Sequence, residues 1–189
     1  MRSSSSETPT VRIPTIRACE PTDVPAITAI YAHYVLNSSG TFEEMPPSQT
    51  EMEHRRQHVL NEGLPFLVAE LSGTVFGYAY ATIYRGRSAY RYTAEDSIYV
   101  HPDHVRQGIG SLLLPALIHA CEKVGCRQMI AVIGDRENRG SQRLHEHFGF
   151  RHAGELRAVG YKFGRWIDTI RMQRSLGPGE AMPPTKGLR

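Results

Sequence analysis

The segment Ser97-Ile-Tyr-Val-His-Pro-Asp-His-Val-Arg106-Gln-Gly108-Ile-Gly110-Ser111 changes its hydrophobic pattern half way along. A short β-branched run, Ile98-Tyr99-Val100, gives way to His101-Pro102, then to two glycines separated by one residue, then to Leu112-Leu113-Leu114. That order predicts a strand, a loop and a helix. Gly108 and Gly110 lack Cβ atoms where the chain enters the helix, so its first N–H groups are open to an anion at the positive end of the helix dipole. The loop is built to hold phosphate. A mononucleotide P-loop would end in Gly-Lys-Ser/Thr, and a dinucleotide fingerprint would carry three glycines and a downstream acid; neither is present.

Upstream, Phe66 to Leu71 and Val75 to Ile83 are β-prone runs joined across Ser72-Gly73, a hairpin signal. Ser48-Gln-Thr-Glu51 is a capping-box pattern for a helix reaching about Asn61. Earlier still, Pro21-Thr22-Asp23 starts a helix with Val24, Ile27, Ile30, Tyr31 and Tyr34 at helical spacing, preceded by a short strand at Ile16 to Ala18. Downstream, the helix from about Gly110 to Val124 contains Pro115, which is tolerable near the first turn, where the missing N–H has no helical partner. Met129 to Ile133 is a continuous apolar run, expected of a strand covered on both faces. A loop over Gly134 to Asn138, a short helix carrying Ser141, Leu144, His145 and Phe148, and closing strands near Glu155 to Gly160 and Trp166 to Arg174 complete the chain. We expect one domain over residues 14–176, between a disordered tail at 1–13 and a flexible Pro/Gly-rich tail at 177–189.

With 189 residues, 40% of them hydrophobic, the chain is long enough for one compact α/β core. A net charge of +3 without a basic run points away from nucleic acid. Cys19, Cys121 and Cys126 are odd in number and lack ligand-type spacing, so neither a disulfide framework nor a metal site is expected. No apolar run of about 18 residues occurs, and Met1-Arg2-Ser3-Ser4-Ser5-Ser6 lacks a secretory core, so the expectation is a cytoplasmic protein without membrane contact.

Arg106-Gln107-Gly108-Ile109-Gly110 resembles the pyrophosphate loop of the GNAT superfamily of N-acetyltransferases, which bind acetyl-CoA. Asn138-Arg-Gly-Ser141, opening a helix that ends in Phe148-Gly149-Phe150, resembles the superfamily's second CoA-contacting segment. Tyr92-Thr-Ala-Glu95-Asp-Ser-Ile-Tyr-Val100, Ala131-Val-Ile-Gly134, Arg143-Leu-His-Glu146 and Gly160-Tyr-Lys-Phe-Gly-Arg-Trp-Ile-Asp168 are similar to the phosphinothricin and methionine sulfoximine N-acetyltransferase subgroup. The likeness runs from Ile16 to Leu176. It implies a GNAT acyl-CoA N-acyltransferase fold of the α/β (α+β) class: a mixed, mostly antiparallel sheet of six to seven strands, splayed between the fourth and fifth and flanked by helices. It also implies a homodimer, acetyl-CoA as co-substrate and acetyl transfer to the α-amino group of a small amino acid or analogue such as phosphinothricin or methionine sulfoximine; the absence of any cysteine from the candidate site segments points to direct transfer without an acyl-enzyme.

Acetyl transfer to an amine requires a deprotonated amine, stabilisation of the carbonyl oxygen and a proton for the departing thiolate. Glu95, on the strand entering the glycine loop, is the candidate base; a solvated strand carboxylate is the plain alternative. His145, one turn after Ser141 on the same helix face, stands where most of the superfamily has a tyrosine proton donor. Imidazole titrates near neutrality, so either direction of proton transfer is open to it. By the resemblance, Ile98, Tyr99 and Val100 line the pantetheine arm, with the Val100 N–H meeting the oxyanion. Arg106, Gln107, Gly108, Ile109, Gly110 and Ser111 hold the pyrophosphate, and Asn138 and Ser141 complete the contacts. Val105 departs from the family's Gln or Arg at the start of the loop. Arg87 is the candidate partner of an acceptor carboxylate, which favours a bidentate guanidinium. Tyr34, Phe42, Tyr90 and Tyr92 are candidate pocket walls, or ordinary core aromatics. Acetylation of protein N-termini or polyamines and a non-catalytic acyl-CoA-binding module are the competing functions. Neither the acceptor nor a choice between resistance and metabolism follows from the residues.

Overall fold

A computed structural model describes residues 13–184. The expected N-terminal tail, apart from Ile13, and the last five residues of the C-terminal tail lie outside the described residues. Seven strands form one sheet in the order β1-β2-β3-β4-β5-β7-β6, comprising β1 Thr15–Ala18, β2 Phe66–Leu71, β3 Thr74–Ile83, β4 Thr93–Val100, β5 Gln128–Gly134, β6 Arg151–Lys162 and β7 Arg165–Ser175. Four helices, α1 Val24–Asn37, α2 Gln49–Asn61, α3 Ile109–Val124 and α4 Arg139–His147, cover it. The β2–β3 hairpin closes on Ser72 and Gly73, both with positive φ (52° and 82°), the two-residue turn whose twist suits antiparallel strands. Ser48 caps α2 by accepting from the Glu51 N–H at 3.1 Å, whereas the Glu51 side chain pairs with Arg55 instead of closing a capping box.

Every neighbouring pair of strands is antiparallel except β4 and β5. These two run parallel and pair only from Thr93↔Gln128 to Asp96↔Ala131; beyond that point Ser97–Val100 and Val132–Gly134 diverge. The sheet is split there. Strand alternation then sorts β4 into two faces. Asp96, Ile98 and Val100 share the face of Gly77, whose α-carbon lies against Ile109 and Leu113 of α3. Glu95, Ser97 and Tyr99 share the other, where Tyr99 packs edge-on to Tyr31 and Tyr34 of α1. Leu113, Leu114, Leu117 and Cys121 of α3 and Ile27, Ile30 and Val35 of α1 are buried in the core on either side.

Pro115 corrects one expectation. It is not in the first turn of α3 but well inside a helix that starts at Ile109, so the Ser111 carbonyl loses its i+4 donor. Burial of Leu113, Leu114 and Leu117 around it outweighs that loss, as tertiary packing generally dominates helix stability. Among the described residues, no helix is long and apolar enough to cross a membrane, and no group of three or more His, Cys, Asp or Glu side chains converges as a metal site would require.

Candidate active site

The split between β4 and β5 opens a groove of about 440 Å³. One wall is Asp96 to Val100 of β4, the other Ala131 to Gly134 of β5, and the ends are formed by the loop before α3 and the start of α4. Of the residues singled out for the coenzyme, Ile98, Tyr99, Val100, Arg106, Gly108, Gly110, Ser111, Asn138 and Ser141 line it. Gln107 and Ile109 do not. The Gln107 side chain turns back to donate to the Asp103 carbonyl at 3.1 Å, and the Ile109 side chain is buried in the core, so both offer backbone only.

Gly108 is the N-cap of α3, with a left-handed φ of 83° and open space where a Cβ would stand. The first helical bond runs from the Leu112 N–H to the Gly108 carbonyl, which leaves the N–H groups of Ile109, Gly110 and Ser111 without helical acceptors. Gly110 serves a different end: a Cβ there would come within 3.0 Å of Leu144 Cδ2, so its absence lets α4 close on α3. The His101 N–H donates to the Phe76 carbonyl on β3, so the Val100 N–H, alternating along the strand, points to the side that β5 has left. Tyr34 donates its hydroxyl hydrogen to the Val100 carbonyl at 2.7 Å, which places Tyr34 in the groove rather than around a separate acceptor pocket. Asn138 caps α4 by accepting from the Ser141 N–H at 3.2 Å.

His145 is buried (3% exposed) in the groove wall, held edge-on to Phe150. Its Nε2 lies 2.9 Å from Asp96 Oδ2, and its Nδ1 lies 2.8 Å from the Ser141 carbonyl and 3.4 Å from Ser141 Oγ. Burial pulls the imidazole pKa down, but the hydrogen bond and charge of Asp96, with the Ser141 carbonyl, leave it raised above the ordinary value. Asp96 is the residue the sequence did not disclose. Its signal was an acid adjacent to Glu95 on a strand, which tells nothing about the face.

Glu95 is not in the groove wall; it sits on the opposite face of β4 from Asp96 and His145. Its carboxyl pKa is raised by burial first and by the Asp96 charge second, while Arg171, on the same face through the β5–β7 register, pulls it back. Thr82, directly across β3 from Glu95, lines a second cleft of about 500 Å³. Arg87 lies there with Arg85 and Arg91, together with His58 of α2 and Glu62 just past its end. Tyr90 and Tyr92 do not line either cavity but carry guanidiniums on their rings: Arg85 stands 5.8 Å from Tyr90 and Arg91 4.6 Å from Tyr92. Phe42 lies over Gly160 of β6, where any Cβ would come within 2.3 Å of its ring, so it clamps the loop after α1 to that strand rather than walling a pocket. The same loop is held by buried Lys162, whose ammonium donates to the Ser38 and Thr41 carbonyls at 2.9 and 2.8 Å.

Residues 28–150 match the family model described as Acetyltransferase (GNAT) family. A phosphinothricin N-acetyltransferase of Alcaligenes faecalis is 54% identical over 170 residues, 90% of this chain and 86% of that one. An L-methionine sulfoximine/L-methionine sulfone acetyltransferase of Salmonella typhimurium is 38% identical, covering 86% of this chain and 94% of that one. Among solved structures, a phosphinothricin acetyltransferase of Sinorhizobium meliloti in complex with AcCoA superposes with a TM-score of 0.89 at 45% identity, over 93% of this chain and 95% of that one.

Proposed function

The chain belongs to the GNAT acetyltransferase family, and from that premise we propose that it transfers acetyl from acetyl-CoA directly to the α-amino group of a small amino acid or analogue of the phosphinothricin and methionine sulfoximine kind. One observation carries the proposal: the β4–β5 split opens a groove that ends at the uncapped N–H groups of α3, a fit for a long ligand with a pyrophosphate at one end. Acetyl-CoA supplies the activated thioester there. Arg106 and the N–H groups of Gly108 to Ser111 hold the phosphates, while Ile98 to Val100 line the arm. The Val100 N–H donates to the carbonyl oxygen as it gains charge.

On the other side of β4, Arg87 in the second cleft receives the acceptor's carboxylate. Glu95, paired across the sheet with Thr82 of that cleft, takes the ammonium proton through water, a task its raised pKa suits. His145 lies on the coenzyme side, where the sulfur departs. Direct transfer is supported by the cysteines: all three are buried, none lines either cavity, and burial pushes the Cys19 thiol up to about 12. Free thiols throughout also suit a cytoplasmic enzyme. We place the activity in a single domain over residues 14–176, acting as a homodimer through β6, β7 and the turn between them, which expose Tyr161, Phe163 and Trp166. Sedimentation at micromolar concentration tests the dimer; a monomer would refute it.

The deciding experiment is an acceptor screen with acetyl-CoA. It sets phosphinothricin, methionine sulfoximine and methionine sulfone against peptides with free N-termini and polyamines. Turnover confined to the amino-acid analogues supports the proposal. Activity on peptides or polyamines alone overturns the substrate class, and coenzyme binding without turnover on any amine leaves an acyl-CoA-binding module. Single-turnover mass spectrometry should find no acetylated protein.

A further inference from the structure

We propose that Asp96 is a positioning residue for acetyl transfer: it holds His145 as the doubly protonated imidazolium in the groove wall, so that His145 gives a proton to the departing sulfur, regaining it from solvent between turnovers, and does not take one from the amine. The inference rests on the acetyl-transfer function above and assigns the direction of a residue that sequence left open.

Both ring nitrogens of His145 face oxygen acceptors at hydrogen-bond distance, the Ser141 carbonyl at Nδ1 and Asp96 Oδ2 at Nε2. A carbonyl has no hydrogen to give, so Nδ1 carries one. The question is then which member of the Asp96–His145 pair carries the other proton. Free carboxyls and imidazoles differ by about 2.6 pKa units, with the imidazole the stronger base, so the ring keeps it unless the site reverses that order. One feature of the site reinforces the order: His145 lies in the last turn of α4, where the helix dipole favours a cation.

No other charge facing the pair competes with Asp96 among the described residues. From α3, the Cys121 thiol is near enough to feel Asp96 and is held in its neutral form. Arg143, Glu146 and His147 of α4 are exposed, and Arg174 of β7 donates to the Phe148 carbonyl instead. Glu95 is next in sequence but lies across the sheet. Phe150, packed edge-on at 4.9 Å, fixes the ring plane between its two acceptors.

An imidazolium so held is a donor. As the C–S bond breaks, the sulfur keeps the electron pair and receives a proton. The Nδ1 proton moves to Ser141 Oγ, whose own hydrogen passes into the groove to the sulfur. The ring is left neutral, with its Nε2–H still on Asp96.

Imidazole-labelled protein titrated by long-range 1H–15N correlation tests this without any acceptor. In the unaltered protein His145 should remain doubly protonated beyond the ordinary midpoint of about 6.5. Asp96→Asn should lower its midpoint by about one unit or more, and kcat at pH 8 should fall about tenfold or more while KM for acetyl-CoA changes less than about twofold. Asp96→Glu should recover part of both, and unchanged thermal melts in either variant separate this from a folding defect. An unmoved midpoint in Asp96→Asn overturns the assignment of the imidazolium to Asp96, and an unmoved kcat overturns its use in transfer. Because the titration needs no turnover, a failed acceptor screen and a failed Asp96 assignment remain distinguishable.

Discussion

The two faces of β4 are made differently. On the Asp96 face the site is assembled from regular elements: a strand edge freed by the split, the N-terminus of α3, and α4 drawn in against Gly110. On the Glu95 face the cleft we propose for the acceptor is lined by side chains of the short segment from Arg85 to Arg91 and the end of α2. On that proposal, backbone geometry dictates what binds on the coenzyme side, and side chains on a loop dictate what is accepted on the other. A scaffold of this kind can keep its donor and vary its acceptor.

The strongest break of that comparison is Glu95→Gln. Loss of a general base typically costs about 10² to 10⁴ in rate, so kcat should fall by that order. Because Glu95 is absent from the groove wall, calorimetric affinity for acetyl-CoA should be unchanged, and a parallel loss would mean the two faces are not separate. Next is Arg87→Met. A hydrogen bond to a charged group contributes about 1.5–3 kcal/mol, or roughly 10- to 150-fold, which should appear in KM for the amino acid and not in KM for acetyl-CoA. An effect on both would show that Arg87 braces the fold instead of reading the acceptor. A smaller effect is expected from Gly110→Ala, whose methyl must displace Leu144. Overpacking of this kind costs about 1–3 kcal/mol, read as a lowered melting temperature and a several-fold weaker acetyl-CoA affinity, with acceptor KM unmoved.

The strand, loop and helix over residues 97–111 were legible in the sequence because the apolar pattern switches period across two glycines, and the position of His145 followed from helical spacing to Ser141. The split sheet came from the family resemblance and agrees with the register of β4 and β5. Asp96 was not legible: two adjacent acids on a strand look alike until the packing of α3 assigns each a face. Gln107 and Ile109 were expected to contribute through their backbone N–H groups, and their side chains turn away from the groove, Gln107 to the Asp103 carbonyl and Ile109 into the core. Phe42 sits in a loop whose course depends on the long-range clamp of Lys162 to Ser38 and Thr41, which no local pattern announces, while Tyr90 and Tyr92 carry the guanidiniums of Arg85 and Arg91.

The smallest effect expected is a shift in pH, and it asks whether the two faces are electrostatically independent. Glu95 acts as a base only when ionised, so kcat/KM should rise with pH through its raised pKa, placing the acid limb above the ordinary carboxylate range. Burial and the Asp96 charge push that pKa up, and Arg171 pulls it down from the same face. In Arg171→Leu the downward pull is lost, so the acid limb should move to higher pH with the plateau retained; the guanidinium Nε is buried without a partner, so little hydrogen bonding is lost with it. In Asp96→Asn the repulsion is lost and the acid limb should move the opposite way, even though Asp96 points into the other cavity. Opposite displacements in the two variants would identify the limb as Glu95 and show that the strand transmits charge between donor and acceptor sides. A limb indifferent to both would assign it to some other group and leave Glu95 without its role as base.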